Sequence, residues 1–399
     1  MYIMRNPISA SVGSRPAWRP AALLATVCAA AIGTLWLSRP DLYPFGSQDR
    51  VTVSVTHRIE HSTAGTLLVV SAMLGALALA GASIRRTPLA DRLALVAALV
   101  QTLFFGLVMT DASVMSLLGY AVAFAGPAIV VTAVIAACLR RNVAGYLIAG
   151  TAVAVGIIGV TTGLIEPEVV TTFWSNVSHS FESFGTRLGW SVLMAGMAVT
   201  WGWATARLVG WSRWSQSQVF TSPAKIRRWG RAVTFAAALC PLPYAGLRLL
   251  WLTPWPVDLR ADMDRPEVRM QGAFLGVAAL VGCTLTLGLI SRWGEVFPRW
   301  LPFLGGRAVP PALAVVPGGL VAAAATMAGP GLLLSGIESN GAGHGVAGVA
   351  LTVLIFPFPI WGPLLGAAVL AYHLRRRADS GRVRPVVSPR RPGGAPLRL

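Results

Sequence analysis

Two segments of the chain share a spacing that can do chemistry. Cys240-Pro241-Leu242-Pro243-Tyr244-Ala245-Gly246 and Phe356-Pro357-Phe358-Pro359-Ile360-Trp361-Gly362 both read PxPxxG, and each lies inside a long apolar run. Proline lacks the amide donor and clashes with the preceding turn, so two prolines one residue apart open a helix ladder. Interrupted membrane helices at corresponding, oppositely directed positions point to a transporter's binding site. The other reading is a pair of kinks that serve packing, since proline is frequent in membrane helices. Arg248 follows the first break and is the one basic residue inside an apolar run. At a depth of about 7 Å by helical rise it either contacts an anion or carboxylate or snorkels to the headgroups. Pro241, Pro243, Arg248, Pro357, Pro359 and Trp361 are therefore the candidate lining of a substrate path.

A second pattern is His57-Arg58-Ile59-Glu60-His61. On a helix, His57 and His61 would share a face and could ligate a metal or haem. The pattern lacks the glutamate of HExxH and brings no third ligand, so solvated loop histidines are the simpler reading. The run Asp258, Asp262, Asp264, Glu267 alternates with arginines and lacks the glycine of a calcium loop, as a mixed-charge solvated loop would. Cys28, Cys138, Cys240 and Cys283 form no CxxC or Cys/His pair, which argues against a disulfide framework or structural zinc. There is no Walker A motif, no GxSxG, and no carboxylate in the middle third of any apolar run. Coupling through a buried acid and intramembrane proteolysis are disfavoured accordingly. No cofactor is called for.

The elements that must position these residues follow from composition. Of 399 residues 55% are apolar and 12% charged, with mean hydropathy +0.64, which excludes an ordinary soluble enzyme. Apolar blocks of about 20 residues match a bilayer core of about 30 Å. They fall at 21–37, 64–84, 93–110, 114–139, 144–165, 188–206, 232–253, 270–290, 311–335 and 346–372. Backbone groups in lipid must be satisfied within the segment, so the expected fold is all-α: a transmembrane bundle of about ten helices. Pro317-Gly318-Gly319 predicts a third, unmatched break, and Gly159/Gly163 and Gly362/Gly366 predict close helix contacts.

The formal charge of +18 divides unevenly among the loops. Twenty-five of the 33 basic residues fall on one side with three acids, and seven on the other with twelve acids. The positive-inside rule then places both termini in the cytoplasm. The charge is a topology signal and nucleic acid is not implied. Thirteen of the fourteen tryptophans lie in loops or near span ends, with Trp36, Trp190, Trp251 and Trp255 expected at the outer interface. Residues 1–20 read as a cytoplasmic tail, 21–373 as the bundle, and 374–399 as a disordered, basic, Pro-rich cytoplasmic tail.

Arg292-Trp293-Gly294-Glu295-Val296-Phe297-Pro298-Arg299-Trp300-Leu301-Pro302 continues through Gly305, Gly306 and Arg307 to Pro310 and Pro311. Together with the start of the seventh run and the Arg-rich end of the tenth, it resembles a group of uncharacterised integral membrane proteins from high-GC Gram-positive (actinobacterial) bacteria. The resemblance covers residues 232–377. It implies a multi-pass protein of the bacterial plasma membrane and brings no activity or catalytic residue. The leading functional expectation is a small-molecule permease or transporter component, with the lipid bilayer as its surroundings. The alternatives are a non-catalytic scaffold or envelope-assembly partner and, more distantly, a haem- or metal-dependent membrane enzyme.

Overall fold

The computed structural model describes residues 18–45, 53–84, 87–115, 143–161, 185–210, 222–254, 264–299, 305–341 and 345–382, with scattered positions at 118–141 and 166–178. Among them the secondary structure is helical, with one isolated antiparallel bridge, Val296 to Ala308. In chain order the helices are α1 (Trp18–Ser38), α2 (His61–Ile84), α3 (Pro88–Leu103), α4 (Val143–Thr161) and α5 (Gly185–Gly210). They continue with α6 (Pro223–Leu239), α7 (Leu242–Leu250), α8 (Pro266–Gly288), α9 (Pro311–Gly341), α10 (Gly345–Ile355) and α11 (Phe358–Arg382). Proline opens α3, α6 and α8, where its missing donor costs nothing, and Thr87 caps α3 by accepting from the Ala90 amide.

Among the described residues, eight helices are long and apolar enough to cross a membrane: Trp18–Ser38, His61–Gly81, Pro88–Val108, Arg187–Val209, Pro223–Leu250, Pro266–Gly288, Pro311–Glu338 and Thr352–Ala378. They coincide with eight of the ten expected runs. The run at 114–139 lies mostly outside the described residues, and the one at 144–165 appears as the shorter apolar helix Gly145–Thr161.

The distribution of side-chain size is what a bilayer selects. Buried positions are dominated by alanine, such as Ala22, Ala25, Ala29, Ala64, Ala98 and Ala204, whereas Leu24, Leu77, Leu93, Val153, Val199 and Leu285 are exposed. Lipid removes any penalty for exposed leucine, so small residues collect where backbones approach. At the α1/α2 crossing a Cβ on Gly33 would lie 2.8 Å from the Gly65 carbonyl oxygen. The GxxxG of α11 acts similarly: Gly362 faces Thr326 and Gly366 faces Ala322, one turn apart on α9. Gly159 lies on α4, while Gly163 falls outside the described residues.

Two groups of helices result. α1, α2, α3 and α5 surround one core, including Leu68, Phe105, Met194 and Trp201. The second group packs α9 and α6 against α11 around Ala322, Leu365, Ala368, Val369 and Tyr372, with α8 beside α6 and α7. The groups meet where Gly106 approaches Met327 and where Gly331 of α9 packs on the backbone of Val53 and Ser54.

Two expectations are corrected. α9 runs unbroken through Pro317, because one proline removes a single ladder bond and Val369 of α11 packs onto Gly318 beside it. α11 continues nine residues past 373 to Arg382. Its last turns are held by Arg375, which donates to the Leu289 carbonyl (2.8 Å) and pairs with Glu295 (2.8 Å), and by Arg376, which donates to the Val309 carbonyl (2.8 Å). The remainder of the basic tail lies outside the described residues.

Candidate functional site

Both proline pairs interrupt their helices. α6 ends at Leu239, Cys240 and Pro241 form a turn, and α7 starts at Leu242; α10 ends at Ile355, and α11 starts at Phe358 beyond Phe356 and Pro357. The ladder resumes at once, with Ala245 donating to the Pro241 carbonyl (2.9 Å) and Trp361 to that of Pro357 (2.7 Å). Each proline nevertheless withholds a donor from the carbonyl four residues earlier, which releases those of Ala237, Leu239, Val353 and Ile355 from their usual ladder partners. The two breaks also meet: the rings of Tyr244 and Phe356 lie 5.8 Å apart.

The other predicted residues group around this contact. Pro241 is buried, and Pro243 and Pro359 occupy the first turns of the resumed helices. Pro359 packs against α9, where a Cβ on Gly329 would lie 3.0 Å from its Cα. Trp361 is half-buried, 5.8 Å from the Phe358 ring, with its indole nitrogen buried and unpartnered among the described residues. The Arg248 guanidinium stacks 4.0 Å from the Trp251 ring centre and 5.1 Å from that of Tyr244. That stacking holds the cation between the two rings, as the quadrupoles of two aromatic faces favour.

His57 and His61 do not share a helical face. His57 lies in a 3-10 turn, Thr56–Arg58, and α2 starts only at His61. Among the described residues no group of three or more His, Cys, Asp or Glu side chains could hold a metal. In the acidic run, Arg269 grips Asp264 through two bonds (2.6 and 2.9 Å), and this hydrogen bonding holds the carboxyl below the ordinary aspartate range. Asp258 and Asp262 lie outside the described residues.

The densest polar cluster was not anticipated. At its far end α3 widens into a π-turn, Phe104–Val108, and Thr110 donates to the Phe105 carbonyl (2.6 Å). Beyond it Asp111 is 2% exposed. One carboxylate oxygen accepts from the Ser113 amide and the Ser191 hydroxyl (both 2.8 Å), and the other pairs with Arg187 at 2.6 Å. Arg187 also reaches the Ser54 hydroxyl (3.4 Å), which accepts from the His57 amide (3.1 Å). Arg58 donates to the Ser54 carbonyl (2.6 Å) and forks onto Glu338 of α9, joining the two helix groups.

An aromatic wall closes this cluster. Phe45 lies 5.0 Å from the Arg187 guanidinium, Trp36 lies 5.0 Å from Trp190 and 4.9 Å from Tyr43, and Trp190 donates to the Met109 carbonyl (2.8 Å). The Tyr43 hydroxyl donates to the Ile59 carbonyl (2.7 Å), and burial pushes its pKa up to about 12 against the opposing pull of Arg187. Trp36 is buried and Trp190 half-buried, both packed in this aromatic wall, and Trp201 is fully buried in the α1/α2/α3/α5 core. A lone Asp in the three-residue turn between two apolar runs was the available sequence signal. Its partner lies 76 residues away, which local spacing cannot reach.

At mid-bundle depth the same helix group holds further polar contacts, among them Thr102 of α3 with Thr205 of α5 (3.4 Å). Gln101 of α3 and Ser71 of α2 are both buried and bond to each other, with the Ser71 hydroxyl 2.5 Å from the Gln101 carbonyl oxygen. Such a pair ties helices together in lipid.

No protein-family model, curated protein or solved structure matches this chain.

Proposed function

We propose that this chain is a multi-pass plasma-membrane permease or transporter component for a small polar solute, with both termini in the cytoplasm. The meeting of two broken helices at Tyr244 and Phe356 carries this reading. Broken helices from oppositely directed segments bring released carbonyls to one depth, and those groups can replace a solute's or ion's hydration. Arg248 adds a cation beside the break. The charge asymmetry supports the orientation, with the Asp111 cluster on the outer side.

A thermal-shift screen of the purified protein against small polar metabolites tests the reading. At least one should raise the unfolding midpoint of the wild type and leave Arg248→Ala unchanged. A ligand that shifts both proteins equally binds elsewhere.

The scaffold reading has its own support in how tightly the breaks are packed. Pro359 abuts Gly329, and the GxxxG of α11 is filled by α9. On that reading the prolines shape a surface for an envelope partner, no metabolite shifts the midpoint, and a partner protein does. The metal-enzyme reading has only His57 and His61, which share no helical face.

A further inference from the structure

At the opposite end of the bundle from Asp111, α6, α11 and the end of α8 border a shallow groove that opens outward. Arg227 and Arg231 of α6 and Arg375 of α11 line it, with the buried Ile226, Leu289 and Tyr372 at its base. The register explains the convergence: Arg227 and Arg231 are four residues apart, as are Ala371 and Arg375, so each set follows one helix face. Gly230 lets the helices approach, since a Cβ there would lie 2.8 Å from that of Ala371.

The charges in the groove are unequal. Arg375 is committed to Glu295 and the Leu289 carbonyl, although its Nε is buried and unpartnered. Arg227 and Arg231 are exposed and pair with no carboxylate among the described residues. Guanidinium forks match phosphate oxygens in geometry and charge. A basic pocket between membrane helices on the cytoplasmic side is a setting in which anionic headgroups bind.

We propose that a phosphate ester, presented by an anionic membrane lipid, docks at the rim of this groove, with the exposed Arg227 and Arg231 holding the phosphate oxygens and Arg375 bounding the site. The same oxygens occur in free phosphate, so the source is separated by experiment.

The test is native mass spectrometry of the full chain from nanodiscs containing equal phosphatidylglycerol and phosphatidylcholine, with unfolding midpoints measured in parallel. The wild type should retain phosphatidylglycerol at least tenfold over phosphatidylcholine. Arg227→Gln/Arg231→Gln should lose most of that preference, whereas Lys225→Gln/Arg228→Gln, which removes equal charge outside the groove, should keep it. If millimolar inorganic phosphate displaces the lipid and stabilises the protein by itself, the phosphate site stands and its source is soluble. Equal retention of both lipids by the wild type, or equal loss in the two double variants, overturns the proposal. The wild-type preference decides the matter by itself should the first double variant not fold.

Discussion

The Asp111 cluster and the paired proline breaks solve the same problem, polarity inside an apolar bundle, in opposite ways. Around Asp111 the polar atoms belong to side chains that largely satisfy one another: an ion pair, two serines and a backbone amide beneath aromatic rings. At the breaks they belong to the backbone, where prolines release carbonyls beside a ring contact and a stacked arginine. A mutually satisfied network is rigid, and losing one member strands the rest. Released carbonyls leave the surrounding helices with fewer bonds to break when they move. On the proposed function, the first region is a clamp and the second a joint.

Breaking the clamp should have the largest effect. Arg187→Met or Asp111→Ala leaves a buried charge without its partner, a loss of about 3–5 kcal/mol. The unfolding midpoint of each single variant should fall well below that of Asp111→Leu/Arg187→Met, which removes both charges. Single variants as stable as the wild type would show that the pair is not buried.

The joint should respond in the opposite direction. Pro241→Ala/Pro357→Ala restores two donors, and a proline within a helix costs about 3 kcal/mol relative to alanine. Its thermal stability should equal or exceed the wild type while any solute-dependent shift disappears. A marked loss of stability would assign the prolines to packing and favour the scaffold.

Alkaline pH separates the regions more gently. Tyr43 ionises at about 12 in the folded protein against an ordinary value of 10.0, so its contribution to stability is fully present below pH 10 and lost as pH rises toward 12. Tyr43→Phe should flatten the wild type's decline across that window, as measured by denaturant unfolding from pH 9 to 12. An unchanged slope would remove Tyr43 from the clamp. The smallest effect belongs to Arg58→Gln, because Glu338 is largely solvated and exposed ion pairs contribute little. A double-mutant cycle with Glu338→Gln should give a coupling smaller than that between Asp111 and Arg187.

Sequence made the joint legible and the clamp illegible for a physical reason. A PxPxxG motif acts within its own helix, so its effect on Leu239 and Ile355 can be read from neighbours in the chain. The reach of Arg187 to Asp111 depends on how α5 packs beside α3, which apolar periodicity leaves open. Pro317 shows the limit of local reading, since the α11 contact carries α9 through it. The packing of Trp36 against Tyr43 and Phe45 is equally out of reach of local spacing, since an indole near a span end suits the interface and an aromatic cluster alike. His57 and His61 have the right spacing for a shared face, but the helix begins too late to give them one.

Cys240 is a native reporter at the joint, and buried Cys283 on α8 is its internal control. Each can be left as the one thiol by replacing the other three cysteines with serine, and sealed membrane vesicles exposed to a water-soluble maleimide. A solute path through the joint predicts rapid labelling of Cys240, slow labelling of Cys283, and loss of the difference in the Pro241→Ala/Pro357→Ala background. Cys240 as inert as Cys283 in the wild-type background would contradict a path between α7 and α10 and leave the breaks as packing devices.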